Sequence, residues 1–474
     1  MPQPGRYRPG GAYNSTVSSF YVENFGCRAT QADGAVLEQQ LQAHGLERAG
    51  GPAQAEIVVL NTCTVTAAAD QDARAAIRRI RRANPECQIL VTGCYAQRSP
   101  QEIALLPGVR WVVGNSHKHL IAELLSRDPA GRAPENNQTD AQNFFPLSQL
   151  SQLESSGASL LVGDIFAHTQ LMAAPVFDGL SERTRPNLKV QDGCNNRCSF
   201  CVIPYVRGRS RSLPLQEIVG QVNHLVTSGY REVVVSGINL GRWGRDLRPQ
   251  MRFPALVRRI LESTALERLR LSSIEPMDWS DELIALAATS PRIAKHAHVP
   301  MQSGSDRVLR KMYRKYRPWH YAQRLQKIRE AMPTAAIGAD VMVGFPGETE
   351  ADFEQTLARV EELPFTYLHV FTYSARPGTP AALLPDQVPP HTAHERNRVL
   401  RETAAKKKLA FQRSFLGQRL QAITLNVYDG KDTEALTDNY LKLRLAGRHR
   451  PNQWLTARIE KVSDGELMGT VDAA

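Results

Sequence analysis

Short runs of consecutive apolar residues alternate along the chain with stretches whose apolar positions recur every three or four residues. Ser18–Phe25 is β-branched and aromatic and predicts a strand, followed by a helical pattern over Ala35–His44. Glu56–Asn61 holds Ile57, Val58, Val59 and Leu60 in succession, the mark of a strand buried on both faces. Helical spacing over Ala67–Ala83, strands at Gln88–Thr92 and Val109–Val113, and a helix at His117–Leu125 complete a first block. Short apolar strands separated by helices predict a doubly wound parallel sheet.

The rhythm collapses after Ser126, where Pro, Gly, Asn, Gln and charge dominate as far as Asp140 and a polar low-complexity run covers Ser148–Ser156. It resumes with strands at Leu188–Gln191, Glu232–Ser236, Arg268–Ser272, Ala297–Pro300, Gly338–Val343 and Tyr367–Phe371. Helical patterns lie between them, and β/α units without hairpin signals predict a partial or full β/α barrel, with functional residues on the loops after the strands. A basic helix, His394–Leu409, leads to strand-like runs at Gln421–Val427, Tyr440–Leu445 and Trp454–Lys461. Those runs suit a small antiparallel barrel. The expected division is an extension at 1–16, a first α/β domain at 17–126, a linker or insertion at 127–179, the barrel domain at 180–409 and the small barrel at 410–474.

Composition narrows the class. With 474 residues, 42% apolar and 22% charged, the chain has ample core, which excludes wholesale disorder and a disulfide miniprotein. It shows no apolar run of membrane-spanning length and no signal-peptide core, so a cytoplasmic, reducing setting without a membrane is expected. The net charge of +11 points to a polyanionic partner. Seven cysteines are too few for a disulfide framework, and clustered ones read as metal ligands.

Gly193-Cys194-Asn195-Asn196-Arg197-Cys198-Ser199-Phe200-Cys201 spaces three thiols C-x3-C-x2-C directly after the first barrel strand. Such a loop can wrap an iron–sulfur cluster and leave one iron open. A zinc site short of a ligand, or a disulfide with a spare thiol, are the other readings. Cys27, Cys63 and Cys94 each follow a strand of the first block, and a parallel sheet brings such positions together at its carboxyl edge. They are either a second three-ligand set or separate buried small residues. Cys87 belongs to neither group.

The run from Gly193 through Val202-Ile203-Pro204-Tyr205-Val206-Arg207-Gly208-Arg209-Ser210-Arg211-Ser212 resembles the signature of the radical S-adenosylmethionine methylthiotransferases. Gly26-Cys27, Asn61-Thr62-Cys63 and Thr92-Gly93-Cys94 resemble that family's first domain; His298–Ser305 and Asp340–Thr349 resemble its barrel. The last block resembles its RNA-binding TRAM domain. Ser272–Pro276, Phe371–Pro380 and Thr437-Asp438-Asn439-Tyr440 are most similar to the branch that acts on N6-threonylcarbamoyladenosine beside the tRNA anticodon. Thr30 departs from the pattern, which usually has Asn there, and the 127–160 insertion lies outside it.

The resemblance implies two 4Fe–4S clusters, one on Cys194, Cys198 and Cys201 and one on Cys27, Cys63 and Cys94. S-adenosylmethionine would be chelated at the first and cleaved to a 5′-deoxyadenosyl radical; the second would hold the sulfur to be inserted. An adenine C2–H has no acidic proton, so a radical rather than a base must activate it, and no protein base is assigned. Phe200 packs beside the adenine or belongs to a local core. Gly237 and Asn239 sit where backbone can reach the methionine end, Gln302 and Ser303 are candidates for the ribose, and Gly344 allows close approach or ends a strand.

For tRNA, clustered cations are candidate phosphate contacts: Arg78 and Arg82 among the five arginines of one helix, Arg207 and Arg209 after the radical loop, Arg314 on an expected helix over Arg307–Arg317, and Lys442, beside Tyr440 and Arg444, on the last barrel. The basic helix from Arg396 to Lys408 is another. The expected partners are a tRNA anticodon stem-loop, an electron donor and a sulfur source, with the chain a monomer. Two alternatives remain at this point: a relative that methylthiolates an aspartate of a ribosomal protein, and an RNA-binding module with purely structural clusters.

Overall fold

The computed structural model describes residues 18–127, 158–168, 171, 184–463 and 465–471. The expected extension at 1–16 and most of the expected linker lie outside these residues. Six parallel strands form the first sheet: β1 Ser19–Asn24, β2 Glu47–Arg48, β3 Ile57–Thr62, β4 Gln88–Gly93, β5 Val109–Gly114 and β6 Ser159–Leu161. Their order is β2-β1-β3-β4-β5-β6. The order in which strands are added therefore reverses between β1 and β3, and at such a switch point a crevice opens at the carboxyl ends of the strands. β3 is buried throughout, as its unbroken apolar run requires. Helix Ala67–Ala83 forms because Thr66 caps it, accepting from the Ala69 amide, and Ala73, Ala76, Ile77 and Ile80 make one buried stripe.

β6 corrects one expectation. Residues 158–168, taken as linker, add a strand parallel to β5 and then fold onto the barrel domain, where the His168 carbonyl accepts from Arg211 at 3.0 Å.

The second sheet system comprises β7 Asn187–Asp192, β8 Arg211–Ser212, β9 Glu232–Gly237 and β10 Arg268–Leu271, then β11 His296–His298, β12 Ala336–Val343 and β13 Tyr367–Thr372. The orders are β10-β9-β7-β8 and β11-β12-β13, and a parallel bridge from Leu269 to Ile293 links the two groups. Apart from the short antiparallel β8, the result is a partial barrel of six parallel strands. Among the described residues no pairing closes β13 onto β7. Alternate residues face outward into the helix layer, among them Val233, Val235, Leu269, Leu271, Ala297, Val299, Ile337 and Val341. The intervening positions, including Glu232, Arg268, Arg270, His296 and His298, are buried and polar, so the lumen is polar.

The last domain is a closed barrel of β14 Arg419–Tyr428, β15 Asp432–Thr437, β16 Lys442–Ala446, β17 Trp454–Ser463 and β18 Glu466–Val471. Four pairings are antiparallel, and β16 with β18, which pair in parallel, complete the circle. β15 and β18 left no mark in the apolar pattern, being half polar. Among the described residues no helix is long and apolar enough to cross a membrane.

The domains are joined by buried polar contacts. Asp70 of the first domain accepts from Thr64 at 2.6 Å, from Arg98 at 2.8 Å and from Arg376 of the barrel domain. Arg270 of β10 donates to the carbonyls of Thr437 and Asp438, which seats the β15–β16 turn against the barrel.

Candidate functional site

The switch-point crevice places the first three thiols. Cys27 precedes helix Arg28–Ala43 as its N-cap, Cys63 follows β3, and Cys94 opens helix Cys94–Arg98 after β4. Register pairs Asn24 with Asn61 and Thr62 with Gly93, so the three strand ends lie side by side. Gly26 has φ +91°, and a Cβ there would stand 2.5 Å from the Cys63 Cβ; only glycine lets these two segments approach. Burial pushes the Cys63 thiol up to about 12, and the neighbouring Cys94 and Cys27 add to the effect. The Thr30 hydroxyl, where the family usually has Asn, lies 3.6 Å from the Cys27 sulfur. The Asn115 side chain stands 3.6 Å from the Cys94 sulfur and donates to the Val206 carbonyl at 2.8 Å.

Val206 belongs to helix Ile203–Arg207, which follows the second thiol set directly. Cys94, Val202 and Val206 form one small buried cluster, so the two cysteine loops pack against each other. Cys201 is pushed up to about 12 by burial, then by Cys198 and Cys194. Asn239 donates toward the Cys194 sulfur at 3.5 Å, and Arg314 donates to the Cys198 sulfur at 3.2 Å. All seven cysteines are free thiols. Among the described residues no three Cys, His, Asp or Glu groups converge as they would round one metal ion. A cluster spreads its thiolates over separate irons, and neighbouring thiols with donors aimed at the sulfurs fit such a group.

Around the second set, Asn239 is buried, its amide N–H donates to Gln191 Oε1 at 2.7 Å, and its Oδ1 has no partner. Gln302 holds φ +65° beside β12 with its buried Oε1 likewise unpartnered. Gly237 ends β9, and a Cβ there would meet Gln191 at 2.9 Å, so its smallness serves strand packing. Phe200 is half-buried against the barrel core.

Several candidate contact residues have partners within the chain. Ser303 is fully buried, and its hydroxyl meets that of Thr356 at 3.2 Å and accepts from the Ser305 amide at 3.1 Å. Gly344 holds φ +74°, and a Cβ there would stand 2.6 Å from that of Ala393 on helix Pro390–Arg413, so its smallness serves helix packing. Arg207 is buried among Asp192 and Asp33, both at 3.0 Å, and has no access to phosphate. The helix expected over Arg307–Arg317 ends at Lys311, and Arg314 turns inward to Cys198 and Glu275. Arg396 is buried on Glu348. Tyr440 lies in the domain junction, stacked 4.5 Å from His296, rather than outward toward RNA. Arg78, Arg82, Arg209 and Lys442 are exposed.

Sequence reasoning missed the ion network behind the first thiol set. Lys118 reaches Asp33 at 3.2 Å, Lys189 bonds both Asp33 and Asp192, and Arg207 bonds both again. The one visible signal was Asp192, immediately before Gly193-Cys194.

Two neighbouring sets of three thiols, one on the loop after the first strand of a partial β/α barrel, suit an iron–sulfur enzyme of the radical S-adenosylmethionine class, which the family models bear out. Residues 188–360 match the family model described as the radical SAM superfamily, and residues 19–114 match one described as uncharacterized protein family UPF0004. The chain is 36% identical to the threonylcarbamoyladenosine tRNA methylthiotransferase MtaB of Aquifex aeolicus over 90% of its own length and 96% of that protein's. Identity to the Bacillus subtilis MtaB is also 36%, over 91% of each chain. A tRNA-2-methylthio-N(6)-dimethylallyladenosine synthase of Thermobifida fusca is 33% identical, over 93% of this chain and 83% of that one. The chain belongs to the radical S-adenosylmethionine tRNA methylthiotransferases, of the MtaB type. Its fold is also similar to that of the radical S-adenosylmethionine methyltransferase TsrM of Kitasatospora setae, with TM-score 0.53, 15% identity and 77% of each chain covered.

Proposed function

We propose that this chain inserts a methylthio group at C2 of N6-threonylcarbamoyladenosine next to the anticodon, with one 4Fe–4S cluster on Cys194, Cys198 and Cys201 and a second on Cys27, Cys63 and Cys94. The observation that carries this reading is the packing of Cys94 against Val202 and Val206, which sets a second three-thiol group beside the radical loop. Bound there, the clusters and S-adenosylmethionine supply the one-electron chemistry, sulfur and methyl group that an unactivated aromatic C–H bond demands. The chain's residues hold and orient. Asn239 and Arg314 donate to ligand sulfurs, Asn115 ties the Cys94 sulfur to the helix after the radical loop, and buried Asn239 Oδ1 and Gln302 Oε1 await polar partners. Exposed Arg78, Arg82, Arg209 and Lys442 contact the backbone of the anticodon stem-loop, whose bases can be splayed into a lumen. Nucleoside mass spectrometry of tRNA from cells with and without the gene tests the assignment: loss of 2-methylthio-N6-threonylcarbamoyladenosine is expected, and unchanged levels refute it. Anaerobic reconstitution should give about eight irons per chain, falling to about four in Cys198→Ala; four in the wild type removes the second cluster.

A further inference from the structure

Where the barrel is left open between β13 and β7, a cation stands without a counter-charge. Arg28, the residue after Cys27, is half-buried, and its guanidinium reaches the hydroxyl of Tyr440 at 3.4 Å. Among the described residues no carboxylate lies within ion-pair distance of it. Its place is fixed, because its carbonyl accepts from the Asn187 side chain of β7 at 2.9 Å. The other arginines at this end are committed. Arg270 bonds Glu232 at 2.7 Å and two carbonyls of the last domain, Arg185 lies 3.4 Å from the same carboxylate, and Arg268 bonds Gln421 and covers the Trp454 ring.

The surroundings of Arg28 are aromatic and open outward. Tyr440 stacks with His296 at 4.5 Å and lies 5.8 Å from Tyr367, which meets His369 edge-on at 5.4 Å. His369 is exposed, and burial first, then His298, then the Arg28 charge, lowers its pKa. His298, 5.5 Å further in, is nine-tenths buried with neither ring nitrogen hydrogen-bonded among the described residues. Its Nε2 stands 3.5 Å from Asp340. A ligand entering past His369 thus meets a guanidinium that no carboxylate pairs among the described residues, and a buried imidazole with Asp340 beside it.

The substituents on the adenines named for the relatives differ in what they offer such a site. A threonylcarbamoyl group carries one carboxylate and one hydroxyl; a dimethylallyl group carries neither. An apolar tail would leave the guanidinium desolvated and unpaired, whereas a carboxylate forms a charge-assisted pair with it. We propose that Arg28 receives the carboxylate of the threonylcarbamoyl side chain, so that the residue following a cluster ligand also selects the substrate base. This rests on the substrate assigned above.

The test measures dissociation constants of the reconstituted full chain for anticodon stem-loops bearing threonylcarbamoyladenosine, its threoninamide analogue or dimethylallyladenosine. The wild type should bind the acid about 10- to 100-fold tighter than the amide, the range of a charge-assisted hydrogen bond. Arg28→Gln should bring that ratio within about twofold, and Arg28→Lys, which keeps the charge but not the fork, should restore part of it. Iron content is measured on each variant; should Gln at this position lower it, the wild-type ratio decides, and a ratio near one overturns the proposal. An undiminished ratio in Arg28→Gln overturns the role of Arg28 and leaves the substrate assignment standing. Preference of the wild type for the dimethylallyl loop overturns both.

Discussion

Replacing Asp33 by Asn strips one carboxylate from a fully buried group in which Lys118, Lys189 and Arg207 face Asp33 and Asp192. Three cations then share one anion. At an effective dielectric constant of ~20, a pair about 3 Å apart gains roughly 5 kcal/mol of attraction, against several kcal/mol of desolvation per ion. Removing one partner leaves charge uncompensated, which typically costs about 3–5 kcal/mol. At roughly 2–4 °C per kcal/mol, the transition of the first domain and barrel should fall by about 6–20 °C. Scanning calorimetry reads this, resolved by domain because a three-domain chain need not unfold in one step. Asp281→Asn, in a mostly exposed pair with Arg324 and Lys327, should hardly move it. Adding Lys118→Met to Asp33→Asn should recover part of the loss, since the two sites couple directly. Acid titration gives a second reading. Burial raises the Asp33 carboxyl, but Lys118, Lys189 and Arg207 outweigh it and hold the group at about 2, below its ordinary 3.8. Its folded pKa is depressed, so its stabilisation is complete above about pH 4 and is lost as pH falls through about 2. Asp33→Asn should flatten that limb. An Asp33→Asn transition no lower than that of Asp281→Asn would refute the reasoning.

Gly26→Ala drives a Cβ to 2.5 Å from that of Cys63 at a φ of +91°, and should cost the reconstituted protein about half its iron while the radical cluster's electron paramagnetic resonance signal persists; full iron refutes the close approach. Arg314→Met removes a cationic donor 3.2 Å from the Cys198 sulfur and should lower that cluster's potential by on the order of 50 mV, a one-electron tenfold change being 59 mV; an unchanged or raised potential in an anaerobic redox titration counts against it. Tyr440→Ala removes the ring stacked on His296 and the hydroxyl bonded to Arg28, and should speed proteolytic release of the last domain; a cleavage rate equal to wild type shows that the junction holds without it.

The positions of the cysteines along the fold were legible because that information is local. Cys194, Cys198 and Cys201 share one short segment; Cys63 and Cys94 directly follow strands whose apolar runs are buried, and Cys27 follows the half-buried β-branched and aromatic run of β1. The alternation of strands and helices was legible for the same reason. β6, with three residues, was too short to rise above its polar flanks.

The fate of the cations was not legible. Arg207, Arg209 and Arg211 look alike in sequence, yet Arg207 finds Asp33, which lies 174 residues away, while Arg209 stays exposed. Arg314 sits in a basic run, but Glu275 and Cys198 come to it from other parts of the barrel. Arg28 is distinguished by what fails to reach it once three domains meet. Sequence alone determined which residues can ligate and which elements present them, because ligand spacing and strand periodicity are properties of contiguous chain. Only the tertiary structure decided which charges are neutralised, buried or left free, because a charge is settled by partners brought from distant segments and by how much water the packing leaves around it.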